Sequence, residues 1–440
     1  MISRREFNGK LALSAAGLTI SASAKSYAQI VGANDRVNFA IIGLRSRAYA
    51  HLSSLKANAA TSRVTHVCDV ESNFLAKFAG DAQKSLGYTP AAAKDFRQIL
   101  ASKDVDAITI ATPDHWHAPM AILGLEAGKH VYVEKPCSFN PTEGEMLIAA
   151  RDKYKKLVQM GTQRRSSPHI QKIIGEIHDG LIGTAYSSSG WYSNQRTSIG
   201  VGKEAAVPST LDWDLWQGPA PRVAYHDNYQ PYSWHWFKHW GTGEVLNNGT
   251  HEIDVCRWAL NAGYPNSVEA NGGRYAYKDD WQFYDTLSVS WKYDDKLITW
   301  DGLCCNHMKR YGRDRGSLVI GTKGSVIVDG DGYEVYNLAG KQTDSYSVKK
   351  EKSSSSDTTG VDSMTDLHFT NFIAGIQSGV KLNQPIETGN VSVTMLQLAN
   401  YSWETGRILH LNPSNGHIVG DPQALAMTRR EYEKGWEPKV

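Results

Sequence analysis

The sequence predicts an α/β chain in two parts: a doubly wound parallel sheet, then a domain built on an antiparallel or mixed sheet. Three observations carry that expectation. The chain has 440 residues, more than one compact core accommodates. Up to Gly161, short apolar runs alternate with helical stretches, as in parallel strands joined by crossover helices. Beyond Gly161 the alternation stops, and the strand-like segments become longer and partly alternating, as a sheet with two unlike faces requires.

In order along the chain, residues 37–42 form a short apolar run ending at Gly43, the signature of a buried strand. Strands at 64–70, 107–111, 130–133 and 157–160 follow. Helices over 48–58, 73–86, 96–102, 117–127 and 142–155 separate them, with Gly128 as a helix C-cap. In the second part, strands are expected at 184–193, 285–293, 296–304, 316–321 and 325–329. A polar loop occupies 352–360, and helices over 363–377 and 391–408 come next. The domains implied are 34–161 and 162–440, the later helices being free to pack back onto the first domain.

Composition removes several classes of function. Basic residues number 47 and acidic ones 45, so the net charge of +2 supplies no field for a phosphate backbone, and no nucleic-acid partner is expected. No long apolar run occurs past residue 30, so no stable membrane span is expected. Residues 1–28 have a basic start, an apolar stretch from 11 to 24 and small residues before Ala28, the three-part shape of an export signal. Ser3-Arg4-Arg5-Glu6-Phe7 resembles a bacterial twin-arginine signal, which predicts cleavage after Ala28 and a periplasmic or otherwise exported protein. The five cysteines include no C-x-x-C pair, so free and mostly buried thiols are expected.

A turn that cradles phosphate should follow the first strand, with the pattern G-x-G-x-x-G. The chain reads Gly43-Leu44-Arg45-Ser46-Arg47-Ala48, keeping the first glycine, replacing the second by Arg45 and the third by a small residue. Arg45 and Arg47 could contact phosphate by charge. Asp69, at the end of the second strand, is placed to accept hydrogen bonds from a ribose diol and would repel a 2′-phosphate, which favours NAD over NADP.

The stretch Asp106-Ala-Ile-Thr-Ile-Ala-Thr112-Pro113-Asp114-His115-Trp116-His117, followed by Ala127-Gly128-Lys129-His130-Val131-Tyr132-Val133-Glu134-Lys135-Pro136, resembles the Gfo/Idh/MocA oxidoreductases. The resemblance implies an N-terminal Rossmann domain and a C-terminal α/β domain with a large open, mostly antiparallel sheet. It also implies that Thr112, Pro113, His117, Glu134 and Lys135 line a nicotinamide pocket, with Gln163 beside the carboxamide. Lys135, in a partly desolvated pocket beside a cationic ring, should have a lowered pKa and can polarise a reacting oxygen. The resemblance makes His251 a second acid/base, within Asn247-Asn248-Gly249-Thr250-His251-Glu252-Ile253-Asp254. Asn247 stands where the family has an aspartate, so no charge there raises the basicity of His251.

Six of the thirteen tryptophans fall between 191 and 240, and such rings suit the apolar faces of sugars as well as ordinary packing. Trp191, Tyr192, Trp236, Arg165 and Asn247 are the substrate-binding candidates. The neighbouring histidines have no zinc spacing, so no metal is expected. The expected function is an exported sugar or glycoside oxidoreductase with tightly bound NAD, acting at a pyranose ring carbon, C3 foremost. One alternative is a glycosidase working by oxidation, elimination, addition and reduction. Another, favoured by Arg45 and Asn247, is an inactive exported sugar-binding protein. A homo-oligomer is expected, since a bare sheet would expose a wide apolar patch.

Overall fold

The computed structural model describes residues 36–348 and 363–440. The export signal expected at 1–28 and the polar loop at 352–360 lie outside the described residues. The first sheet consists of β1 (Val37–Ile42), β2 (Ser62–Cys68), β3 (Ala91–Ala93), β4 (Ala107–Ile110), β5 (His130–Val133) and β6 (Val158–Met160). Their order is β3-β2-β1-β4-β5-β6, and every pairing is parallel. Helices cover both faces, so runs such as Val37–Ile42 are apolar almost throughout and buried. Strand order reverses between β1 and β4. The crevice that opens beyond their C-terminal ends is where an open α/β sheet binds ligands. The edge strand β3, which the sequence does not predict, is three alanines, two of them exposed.

The second sheet has eleven strands, numbered β7 (Ala185–Gln195), β8 (Ser267–Gly273), β9 (Thr286–Lys292), β10 (Leu297–Leu303), β11 (Cys305–Asn306), β12 (Arg315–Gly321), β13 (Gly324–Val328), β14 (Gly332–Asn337), β15 (Gln342–Ser347), β16 (Leu409–Leu411) and β17 (Ile418–Val419). It is antiparallel apart from the β7–β10 pair. Leu287, Val289 and Trp291 on β9 alternate with outward polar residues and are buried, as are Ile298 and Trp300 on β10. They lie on the face that packs against helices Gly249–Ala259 and Ile386–Thr405.

The other face of this sheet is partly paved with hydroxyls. Its centre carries Ser187, Ser189, Thr286, Ser288, Ser290 and Thr299, with Ser189 and Thr299 hydrogen-bonded at 2.7 Å. Leu297, Leu318 and Ile320 lie beside these hydroxyls on the same face, so its surface mixes polar and apolar groups.

Helix Ser363–Ser378 lays Phe369, Phe372 and Ile373 against Phe39, Ile41 and Tyr132 of the first sheet, and Phe369 stacks on Tyr132 with centroids 4.3 Å apart. The segment around residues 428–436 also returns to the first domain. Arg430 pairs with the buried Glu143 and donates to the His115 carbonyl at 2.7 Å, while Trp436 meets Trp116 edge-on at 5.0 Å. Among the described residues no helix is long and apolar enough to cross a membrane. All five cysteines are free, and four are buried.

Candidate active site

One cleft runs from the turn after β1 to the start of helix Gly249–Ala259. Gly43 shapes its floor. Its φ is +84°, and a Cβ there would lie 2.7 Å from the Ala111 carbonyl group and 2.8 Å from the Thr112 nitrogen. Only glycine meets both conditions. Helix Ser46–Ala57 then begins with no side-chain cap, so its first N–H groups face the cleft mouth, where the helix dipole favours an anion. Arg45 and Ser46 are exposed at this mouth, and the Arg45 guanidinium lies 4.7 Å over the Phe74 ring.

Asp69 accepts from the backbone N–H of Leu44 at 2.7 Å and of Glu71 at 2.9 Å, which fixes its carboxylate at the end of β2. Burial raises its pKa to about 6, against the lowering effect of those two N–H groups. Arg47 turns inward rather than toward a phosphate. Its Nε donates to Glu134 Oε1 at 2.7 Å, and Nη2 donates to Thr365 at 3.0 Å. A buried carboxylate holds that guanidinium more strongly than open solvent would.

Glu134 also meets His51 Nε2 at 2.9 Å. Burial alone would raise its pKa. The Arg47 charge and the His51 hydrogen bond outweigh that and hold it well below the usual carboxylate range. Gly161 makes room for it, since a Cβ there would come within 2.8 Å of the Glu134 carboxylate. Gln163, with its amide oriented to satisfy both ends, donates to the Gly161 carbonyl at 2.8 Å and accepts from Arg47. Thr112, Pro113 and His117 line the cleft beside these groups, and Thr112 Oγ1 is buried without a partner among the described residues. His117 is fixed between the carbonyls of Pro136 at 2.6 Å and Thr112 at 2.9 Å.

Lys135 follows on the same strand end. Its Nζ donates to the Asn247 carbonyl at 2.5 Å and to Asn247 Oδ1 at 3.2 Å. Burial lowers its pKa; the nearby Glu134 and Asp114 charges oppose that shift. Asn247 Nδ2 is buried with no partner among the described residues, an unspent donor on the cleft wall. His251 lines the same end and makes no side-chain hydrogen bond among the described residues. Burial, then the charges of Arg315, Lys135 and Arg164, push its pKa well below the ordinary histidine value, so it is neutral. Asp254, one turn further on, serves elsewhere: it pairs with Arg165 and accepts from Ser392.

Four substrate candidates stand away from this cleft. Arg165 is buried in a bidentate pair with Asp254, at 2.7 and 3.0 Å, and stacks over Trp258. Trp191 is buried on β7 and donates to the Arg313 carbonyl. Tyr192 packs beneath the Arg315 guanidinium and accepts from Asn194. Trp236 is stacked on Trp281 with centroids 3.8 Å apart. The cleft uses other aromatic residues: Trp116 and Trp216 on one wall, Tyr232, Trp234 and His235 on a roof segment. The aromatic density of 213–240 pointed to this segment, but only tertiary packing sorts its lining rings from its core rings.

The donors present suit a dinucleotide. A glycine floor, an uncapped helix N-terminus, a fixed acidic residue and the orphaned Thr112 hydroxyl form a continuous series of contacts. Fold and site together define a dinucleotide-binding domain joined to a second domain that supplies polar chemistry at the far end of the cleft. Residues 37–162 match the family described as "Oxidoreductase family, NAD-binding Rossmann fold", and 217–327 match the "GFO/IDH/MocA C-terminal domain", together more than half of the chain. The chain belongs to the Gfo/Idh/MocA oxidoreductase family, and its first domain is an NAD-binding Rossmann domain.

It is 29% identical over 210 residues to a glycosyl hydrolase family 109 protein of Saccharopolyspora erythraea, covering 44% of this chain and 45% of that one. It is 27% identical over 228 residues to inositol 2-dehydrogenase of Salmonella typhimurium, covering 51% and 54%. The chain thus spans about half the length of these curated relatives. A levoglucosan dehydrogenase solved with NADH and levoglucosan shares the fold, with a TM-score of 0.65 at 19% identity over 85% of this chain and 99% of that one.

Proposed function

We propose that the protein is an exported NAD-dependent oxidoreductase of sugars or glycosides, acting on a CH–OH carbon of a pyranose ring, C3 foremost, with NAD held tightly. The observation that supports it most is the convergence of Lys135, Asn247 and His251 at one end of a cleft whose other end is built for a dinucleotide. Gly43, the first turn of helix Ser46–Ala57, Asp69 and Thr112 would hold the cofactor. When bound, NAD supplies the two-electron oxidant for the carbon.

The chain's own residues handle the proton. Asn247 takes two N–H groups of a protonated Lys135, which leaves the third for the sugar oxygen. That charge stabilises the oxygen as its proton leaves. His251, neutral and without a protein partner among the described residues, accepts that hydroxyl's hydrogen bond and takes its proton as the carbon is oxidised. Asn247 Nδ2 is free to donate to a neighbouring hydroxyl.

The test uses protein purified without added nucleotide. Its absorbance is recorded before and after adding glucosides, galactosides and free sugars. A persistent rise in reduced-nicotinamide absorbance, with one keto-sugar per site, supports the dehydrogenase. A second reading, the redox-cycling glycosidase, draws support from the family 109 relative and predicts free aglycone with no persistent rise. Neither signal, and no resident nucleotide, leaves an inactive sugar-binding protein. Export is tested by fractionating cells that carry Arg4→Lys and Arg5→Lys together; a protein still exported removes the twin-arginine reading.

A further inference from the structure

The roof segment carries a histidine whose chemistry the mechanism above leaves unused. His235 lines the cleft with Tyr232, Trp234, Lys135, Asn247 and His251. Its Nδ1 lies 2.6 Å from the Tyr232 carbonyl oxygen. A carbonyl oxygen only accepts, so Nδ1 carries the hydrogen, and in the neutral ring Nε2 holds the lone pair. The ring cannot easily turn to exchange these roles. It is stacked on Trp234 with centroids 3.6 Å apart and lies 4.3 Å from the Tyr232 ring.

Nε2 has no hydrogen-bond partner among the described residues. The charged groups nearest to it are committed elsewhere: Arg196 pairs with Glu244 at 2.8 Å, and Lys135 is held by Asn247. Burial, followed by the charges of Arg196, Lys135 and His117, keeps the ring's pKa well below the ordinary value, so the acceptor persists at neutral pH. The same cleft presents donors, Lys135 Nζ and Asn247 Nδ2, the latter without a partner among the described residues. A cleft that offers both donors and a fixed acceptor suits a polyol, each of whose hydroxyls both donates and accepts.

We propose that His235 is a specificity-determining residue whose Nε2 accepts a hydrogen bond from a substrate hydroxyl other than the one being oxidised. The inference rests on the sugar-oxidoreductase reading. A bound sugar that closes the cleft over this acceptor is penalised if it leaves it unpaired, so removing that one hydroxyl should lower kcat/KM by about tenfold to a thousandfold.

The experiment is a cycle on the NAD-loaded full chain. kcat/KM is measured for the best sugar and for its monodeoxy analogues, in the native protein and in His235→Phe, which keeps a flat ring over Trp234 but has no acceptor. His235→Met serves the same purpose should the phenylalanine variant not fold, and His235→Gln restores an acceptor near Nε2. Quenching of tryptophan fluorescence by each sugar gives binding independently of turnover.

The expected result is one monodeoxy analogue penalised by the native protein, with that penalty gone in His235→Phe and partly regained in His235→Gln, and with bound nucleotide unchanged. A penalty of the same size in the variant overturns the inference alone. Loss of nucleotide from both acceptor-free variants also overturns it, since the residue would then serve the cofactor. No saturable response to any sugar overturns the reading of the site and this inference with it.

Discussion

The carboxylate of Asp69 makes cofactor binding depend on pH in a range where an ordinary aspartate would not. Its pKa of about 6 comes first from burial, and the two backbone N–H groups on its oxygens restrain the rise. The sign follows from which form binds. In the role proposed for Asp69, the ionised carboxylate would accept from ribose hydroxyls, and the protonated one would lose the charge that makes those bonds strong. A raised pKa means the proton arrives early, so affinity is intact above pH 6 and is lost as pH falls through it.

With that pKa, the ionised fraction falls about tenfold from pH 7 to pH 5, and the Kd for NAD should rise about tenfold, or about 1.4 kcal/mol. An aspartate at its ordinary pKa would leave Kd nearly flat over the same span. The assay is titration of nucleotide-stripped protein with NADH, followed by fluorescence at pH steps from 5 to 8. Arg45→Ala should move the midpoint upward, because the Arg45 charge favours the ionised form. Asp69→Asn should bind weakly at every pH. A flat Kd down to pH 5, or the same pH dependence in Asp69→Asn, would refute the reasoning.

Three further outcomes are expected. Lys135→Ala should lower kcat by about a hundredfold to ten-thousandfold, with nucleotide still bound by absorbance; nucleotide loss would make the lysine a cofactor ligand instead. Gly43→Ala adds a Cβ within 2.7 Å of the Ala111 carbonyl group at a φ of +84°, and should cost about 2–4 kcal/mol in chemical denaturation; an unchanged unfolding midpoint rejects the close-packing argument. Arg165→Met removes the bidentate partner of the buried Asp254, which keeps Arg257 at 3.8 Å and the Ser392 and Gln384 donors, and should cost about 1–3 kcal/mol while leaving the sugar KM of the folded fraction unchanged. A raised KM without loss of stability would return Arg165 to the substrate site.

The parallel sheet was readable because its strands are buried on both faces and so are written as apolar runs. The strands that escaped notice follow other rules. Ala91–Ala93 is a half-exposed edge, Ser267–Gly273 is rich in polar residues and glycine, and Gln342–Ser347 is exposed at every position. Such strands are held by backbone pairing, which leaves little trace in side-chain type. The site divides in the same way. Gly43, Asp69 and Lys135 stand at fixed offsets from strands, so local spacing locates them. Trp236 and Trp234 are two residues apart, yet one stacks on Trp281 in the core and the other lines the cleft. Nothing local distinguishes them, because the deciding partner is 45 positions away. Arg165 misleads for a related reason: an arginine near a cleft suggests a ligand, whereas its carboxylate partner comes from a distant helix.

The placement of helix Ser363–Ser378 bears on how this chain can be assembled. Phe39, Ile41 and Tyr132 emerge early in synthesis, but the phenylalanines that cover them are made more than 300 residues after β1. The nucleotide half is first in sequence but cannot be finished first. Until the later helix arrives, its sheet presents a bare aromatic face to whatever surrounds the nascent chain. The cofactor pocket therefore belongs to the whole chain. Cutting the gene at residue 161 would yield a fragment prone to aggregate, not a small nucleotide-binding module.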